Sequence, residues 1–416
     1  MRDYPAIKQK ITRTLFSAQS LVSAALIAMA TVSAIAGAEL SGVVAWAGVP
    51  TAVLLGASAI GAALWGLIME RKGRRIGLAV GLGIGMLGSF IAGWAVINIT
   101  FLLFLAGMAC LGLAQSAMQL GRYAAADVSS LEARGRAIAS VVVGGTVGSI
   151  LGPLLVGPSS TWAVSVGFNE LVGAYAVGVI LFANATIVIV WLLRPEPLDI
   201  ARELAPSHAS TTGAAIDVPS LSNIYRRPGV IVASGSMIIG QLVMVMLMVI
   251  TSLYMRGSGY LLRDISIVIA SHTFGMFAFS IFSGRLTDRI GRTPVLMLGS
   301  IVLVVAGVTA GLFPGILPLA ISLFLLGLGW NFCYVGGSTM LTDNLLNEEQ
   351  SRVQGFNDLL VGLASAIGSL GSGFVFAAIG YRAVGVLGAL IAIMPFLLSL
   401  WWRRNHAPAT LREAAS

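Results

Sequence analysis

Two apolar stretches in the second half of the chain carry side chains that could hold a small solute or an ion. Within residues 228–255, Met237, Gln241, Met244 and Met248 recur at helical spacing, so one stripe presents three thioethers and an amide, while Met246 points elsewhere. Within residues 264–284, the run His272-Thr273-Phe274-Gly275-Met276 sets an imidazole and a thioether one turn apart on one face. Both are soft ligands, and a set made of Met244, Met248, His272 and Met276 would suit Cu(I) better than a hard ion such as Mg²⁺. Met is also a common apolar gap-filler, and the same stripe could serve packing alone. His272 is the only histidine inside an apolar stretch, since His208 and His406 lie in polar ones. An ionisable group in such a place is a functional candidate, and imidazole titrates near neutrality, so His272 is also the best candidate for proton coupling. An organic solute would use other groups. Gln115, Gln119, Gln241, Asn184 and Asn331 could hydrogen-bond it, and Trp46, Trp65 and Trp330 could stack on it, unless they serve as interhelical bonds and interface aromatics.

The elements that must position these residues follow from composition. Hydrophobic residues are 57% of the 416 positions and charged residues 10%, where a soluble domain is roughly a quarter charged. Lipid offers no partner to backbone N–H and C=O groups, and the apolar runs are too long for barrel strands, so the fold is an all-α integral membrane protein. Spans are predicted near 15–37, 43–67, 76–97, 99–121, 136–157, 166–193, 228–255, 264–284, 294–313, 316–341, 352–378 and 380–402. That makes twelve transmembrane helices, the first too long for a signal peptide. Cys110 and Cys333 both fall inside spans and are expected to be packing residues. Of 25 Lys and Arg residues, all but Arg256, Arg263 and Arg382 then lie on one side. By the positive-inside rule that side is the cytoplasm, so both termini are cytoplasmic, and the +8 net charge needs no nucleic acid to explain it.

Residues 194–227 change abruptly to Pro, Ser, Asp, Glu and Arg, a cytoplasmic linker between a six-helix bundle at 1–193 and another at 228–402, with a tail at 403–416. A repeated loop marks the duplication. Gly66, Glu70, Arg71, Gly73 and Arg74 in the first half recur in register as Gly284, Asp288, Arg289, Gly291 and Arg292 in the second. In such a loop the first Gly would allow close helix approach, the acid would pair with basic residues and with the positive end of a helix dipole, and the second Gly would permit a tight turn. The loop could latch one conformation.

This pattern resembles the signature loop of the major facilitator superfamily, with Glu70 in place of the usual Asp. The resemblance extends over essentially the whole chain and implies two pseudo-symmetric bundles that rock around a midplane site by alternating access. In the fifth span Gly144, Gly148, Gly152 and Pro153 form a smooth face ending in a proline. That run is similar to the antiporter motif of the superfamily's exporters, although close helix packing would select the same residues. The Arg that proton-driven exporters often place within the fourth span is absent; Arg122 stands only at that span's end. M-x-x-x-M in the seventh span with H-x-x-x-M in the eighth, then Gly329-Trp330-Asn331-Phe332 and Gln354-Gly355-Phe356-Asn357-Asp358, resembles the copper-importing branch of bacterial major facilitators. Relatives that import riboflavin carry similar segments.

The expected function is secondary active transport of a small solute across the plasma membrane, with Cu(I) uptake as its sharpest form. The alternative is a proton-coupled carrier, importer or exporter, of an organic compound such as a vitamin or drug. Substrate contacts are expected from Met237, Gln241, Met244, Met248, His272, Met276, Trp330 and Asn331. No nucleotide-binding loop and no nucleophile, base and orienter set is present, so neither a cofactor nor an enzymatic activity is expected. A non-transporting receptor would need an output domain that the short linker and tail do not supply. The expected partners are the solute and the lipid bilayer, with the protein a monomer.

Overall fold

The structure is a computed structural model that describes residues 4–129, 134–204, 220–310, 312–313 and 315–406. Apart from a short 3-10 helix at Val44–Gly48, its regular elements are α-helices. In the first half these are α1 (Tyr4–Ser41), α2 (Val49–Lys72), α3 (Arg74–Ile97), α4 (Phe101–Asp127), α5 (Arg134–Leu154), α6 (Val156–Ser165) and α7 (Val172–Leu192). Two short helices, α8 (Pro197–Leu204) and α9 (Leu221–Ile224), lie in the linker. The second half holds α10 (Pro228–Gly257), α11 (Leu262–Phe277), α12 (Ser280–Ile290), α13 (Arg292–Thr309), α14 (Ile316–Asp343) and α15 (Asn347–His406).

Among the described residues, 11 helical stretches are long and apolar enough to cross a membrane. The last is double. Within α15, Gly380 takes φ 82° and ψ 177°, so two helices of span length meet there, giving the twelve crossings that hydropathy predicts. Several boundaries differ from the predicted ones, among them the end of α4 at Asp127 rather than 121, and three show their cause or consequence. The first helix starts at Tyr4 rather than near residue 15, with Ile11 already fully buried. The sixth crossing starts at Val172 rather than 166, because α6 runs to Ser165 and closes on a turn in which the Phe168 N–H donates to Ala163 O at 2.9 Å. The eighth crossing is not continuous but breaks between α11 and α12.

By internal contacts the chain divides into a first unit, Met1–Ala214 with Met255–Ala270, and a second, Ala215–Tyr254 with Ser271–Ser416. Charge explains the placement of Met255–Ala270: Arg256, at the end of α10, ion-pairs with Glu170 and lies 3.8 Å from Glu39. In the first unit α1 packs on α5 and α7, and α3 on α4 and α7. The Gly144, Gly148 and Gly152 face makes the α1 contact possible. A Cβ at these positions would run into the carbonyl oxygens of Phe16, Ser20 and Ala24, one helical turn apart on α1. Pro153, which has no N–H to give, ends α5, and α6 resumes at Val156.

In the second unit the same device recurs with different partners. Gly299 of α13 meets Phe332 and Cys333 of α14, Gly337 of α14 meets Met237 of α10, and Gly388 of α15 meets Met246 of α10. Below them, a buried cluster of Ile224, Val230, Leu296, Met340 and Val353 closes the linker end of the unit. Beside it Glu349, only 1% exposed, accepts two 2.7 Å hydrogen bonds from the Arg227 guanidinium and one from the Leu346 N–H. The Arg227 hydrogen bonds hold the Glu349 carboxyl below its ordinary value of 4.5.

Two outcomes follow. Gly148→Leu must separate α1 from α5 and should cost about 1–3 kcal/mol, read as a lowered melting temperature in detergent; an unchanged melting curve would mean these helices do not pack in this way. A carboxyl whose folded value is depressed contributes stability above its unfolded value and loses it as pH falls through the folded one. Wild-type melting temperature should therefore fall as pH drops below about 4.5, and Glu349→Gln should be less stable at neutral pH and show a smaller change over that range.

Candidate functional site

The seventh, eighth, tenth and eleventh crossings of the second unit assemble one continuous set of polar and aromatic side chains. The indole N–H of Trp330 on α14 donates to Gln241 Oε1 on α10 at 2.6 Å. The Gln241 Nε2 donates to Ser365 Oγ on α15 at 2.9 Å, and that hydroxyl donates to Val361 O on its own helix. Three helices are thereby tied through one amide, at a depth where unpaired polar atoms are costly. Trp330 stacks on Tyr334, with centroids 4.9 Å apart at 24°, and meets the edge of Phe277 at 6.2 Å and 73°. Trp330, Tyr334, Phe277, Gln241, Met248 and Met276 are all only partly buried. Their rings can accept a flat solute against an indole whose orientation is fixed by hydrogen bonding.

His272 lies elsewhere on α11 and is wholly buried. Its Nδ1 is 2.9 Å from Leu323 O on α14. A carbonyl only accepts, so Nδ1 carries the hydrogen and Nε2 keeps its lone pair, for which the described residues offer no partner. The helices are close here because Gly275 sits against Phe324 O and Gly327 against His272 O. No group of three or more His, Cys, Asp or Glu side chains capable of holding a metal occurs among the described residues, so any metal held by His272 would rest on thioethers for its other ligands.

The predicted residues thus fall into separate environments. Gln241 and Trp330 are joined directly. Met237 is a packing residue, seated over Gly337 with its Sδ accepting from Asn357 Nδ2 at 3.7 Å, and Met244 is buried. Asn331 is not free to bind a solute through its amide hydrogens. Its Nδ2 donates to Met276 O at 2.6 Å and to Ser280 Oγ at 2.9 Å, and its Oδ1 accepts from Ser283 Oγ. Trp65 is likewise a packing residue, buried with its indole N–H on Leu113 O at 2.8 Å, and Asn184 bonds its own helix at Ile180 O. Sequence reasoning missed Phe277, Tyr334 and Ser365. Tyr334 was readable as an aromatic one turn from Trp330; Ser365, in a run of small residues, gave no signal.

The two repeated loops share a geometry. Gly73, with φ 95°, is both the end of α2 and the start of α3, and Gly291, with φ 90°, does the same for α12 and α13. The next arginine then bonds the aspartate closing a later helix: Arg74 Nε to Asp127 at 2.9 Å, and Arg292 Nε to Asp343 at 2.7 Å. A Cβ at Gly66 or Gly284 would meet nothing within 4 Å among the described residues. Glu70 is exposed, and at the first turn of α3 the carboxylate is that of Glu196 of the linker, which accepts from the N–H groups of Arg74 at 2.6 Å and Arg75 at 3.2 Å. Asp288 stands 4.0 Å from Arg292 and is largely exposed, as are Arg71 and Arg289.

This duplicated architecture is matched by the sequence profile of the Major Facilitator Superfamily over residues 14–262 and again over 233–416. The chain belongs to that superfamily. This facilitator is 33% identical to the uncharacterized MFS-type transporter YdeG of Bacillus subtilis, over 95% of this chain and 93% of that one. It is 27% identical to the riboflavin transporter RfnT of Brucella anthropi, over 96% and 98%. A solved bacterial homolog of the human lysosomal transporter Spinster superposes with a TM-score of 0.74 at 15% identity, covering 97% of this chain and 98% of that one, which shows the common fold. The facilitator is accordingly a multi-pass membrane protein of the secondary transporter class.

Gln241→Leu should release the Trp330 indole and leave the Ser365 hydroxyl only its bond to Val361 O. The expected cost is about 1–3 kcal/mol, with a shift in tryptophan emission that is absent when the same change is made in a Trp330→Phe background. An unshifted emission spectrum would mean the indole is not held by this amide.

Proposed function

We propose that this facilitator carries a flat, partly aromatic organic solute across the plasma membrane, binding it against Trp330, Tyr334 and Phe277. The observation that carries this reading is the Trp330 indole, held by Gln241, stacked on Tyr334 and edged by Phe277 in a partly accessible part of the second unit. An aromatic ring fixed by a hydrogen bond loses little freedom when a second ring stacks on it, which favours binding. Riboflavin, the solute named for one relative, has a fused aromatic ring system of that kind. The charge asymmetry supports cytoplasmic termini, and the paired glycine loops support a rocking cycle of the two halves with the loops as latches.

Transport into proteoliposomes under an imposed proton gradient, with a panel of vitamins, nucleosides, drugs and metal ions, tests the reading. A flavin or similar heterocycle should be taken up, and Trp330→Ala should raise its KM about tenfold or more, the loss of one buried aromatic contact. Uptake of such solutes with unaltered KM in that variant would remove the aromatic site. Stimulation by the gradient in wild type and its loss in His272→Gln would add proton coupling.

A second reading has its own observation. The Nε2 lone pair of His272, with Nδ1 anchored on a backbone carbonyl, is the arrangement that metal-binding imidazoles adopt. With Met276 one turn along the same helix, it offers Cu(I) an imidazole and a thioether, to which Met244 and Met248 of α10 would have to be brought. Copper flux that disappears in both His272→Ala and Met276→Ala would establish this reading; copper flux unchanged in both, or none in wild type, would exclude it.

A further inference from the structure

The eighth crossing breaks at a place where its sequence gives no reason to break. Between Phe277, the last residue of α11, and Ser280, the first of α12, stand Ala278 and Phe279. Neither Pro nor Gly is present, and Ala is the strongest helix former. The cause is therefore tertiary. Asn331, 2% exposed, inserts from α14; its Nδ2 donates to Met276 O at 2.6 Å and to Ser280 Oγ at 2.9 Å, and its Oδ1 accepts from Ser283 Oγ. In a continuous helix the Met276 carbonyl would instead accept from the N–H of Ser280, four residues on. Away from water this carbonyl must be paired in either arrangement, so two states compete for it: a bent one, paired to Asn331, and a straight one, paired within the helix.

We propose that Asn331 is the positioning residue of a two-state joint, and that solute binding selects between its bent and straight forms. Resting on the aromatic reading of the site, the coupling is short. Phe277, the last residue before the joint, touches Trp330, and Trp330 immediately precedes Asn331. A solute seated on the Trp330 and Phe277 rings bears on both sides of the joint at once. Beyond the joint, α12 runs eleven residues to Ile290 and ends in the Gly291 turn, where Arg292 is bonded to Asp343. Bending or straightening at residues 278–279 therefore changes the direction of the helix that leads to the signature loop of this half. A ligand shifts such an equilibrium only by its differential affinity for the two states, and the rings flanking the joint supply that difference.

Asn331→Leu keeps the side-chain size and removes all three hydrogen bonds. Turnover falls about tenfold or more, the KM of the flavin or other heterocycle shifts because one of the two forms is lost, and the backbone amides of residues 279–282 exchange with deuterium more slowly, because the crossing is now a continuous helix. Ser283→Ala, which spares the bond to Met276, is the second variant should the first fail to fold, and should move turnover and exchange in the same direction by less. Unchanged turnover, or a raised KM with unchanged exchange, overturns the proposal in favour of a solute ligand; faster exchange at 279–282 overturns it in favour of a merely structural staple. The exchange measurement needs no solute, so it decides the joint even if no aromatic compound is transported and the reading of the site fails.

Discussion

Every backbone N–H and C=O that lies in hydrocarbon must find its partner inside the protein, and this constraint governs both the regular and the irregular parts of the structure. It makes the crossings helical. It also fixes where they are allowed to depart from helicity, because each departure frees groups that another residue must take up. The bend between α11 and α12 exists where Asn331 can receive the Met276 carbonyl. Three further helices are held in register by the single amide of Gln241, whose oxygen and nitrogen are both used. Polar side chains within the spans thus serve as internal partners for backbone carbonyls and for one another.

Close approach of helices is the second consequence. Lipid is as apolar as leucine, so burial alone gives little reason for two helices to associate, and packing must supply it. The glycine ladder of α5 on the carbonyls of α1 and the scattered glycines of α13, α14 and α15 solve this in different ways. The first is a periodic stripe; the second is a set of single contacts, some on carbonyls such as those of His272 and Leu242 and some on the side chains of Met237, Cys333 and Met246. Methionine fits the second mode because a flexible thioether can settle into whatever space a glycine leaves. That explains why α10 is rich in methionine without every sulfur facing a solute.

The spans, the duplication and the junction glycines were legible because each has a local signature in hydrophobicity or spacing. The last crossing pair shows the limit: hydropathy separated two spans correctly at residue 379, where a single glycine is the only interruption in a 60-residue helix. The site was less legible. A stripe at helical spacing says which residues share a face, but not whether that face meets a cavity, another helix or lipid. Met237 and Gln241 lie on one stripe, yet one packs on a glycine and the other organises three helices. The break in the eighth crossing left no trace in its own residues, since its cause lies some fifty positions later, at Asn331. The carboxylate at the first turn of α3 was illegible for the same reason: Glu196 comes from a segment distant in sequence.

That carboxylate, Glu196, alters the meaning of the linker. A connector between two bundles is usually regarded as a spacer whose length matters more than its residues. Here its first residues belong to the architecture of the first half: Glu196 occupies the first amides of α3, and Ile200 of α8 is buried. Among the described residues, the linker as far as Leu204 thus packs with the first half, on α3 and α4. Were the protein expressed as two separate polypeptides, a cut at the end of α7 would strip α3 of its acceptor and leave that half incomplete, whereas a cut after α8 would keep Glu196 with it.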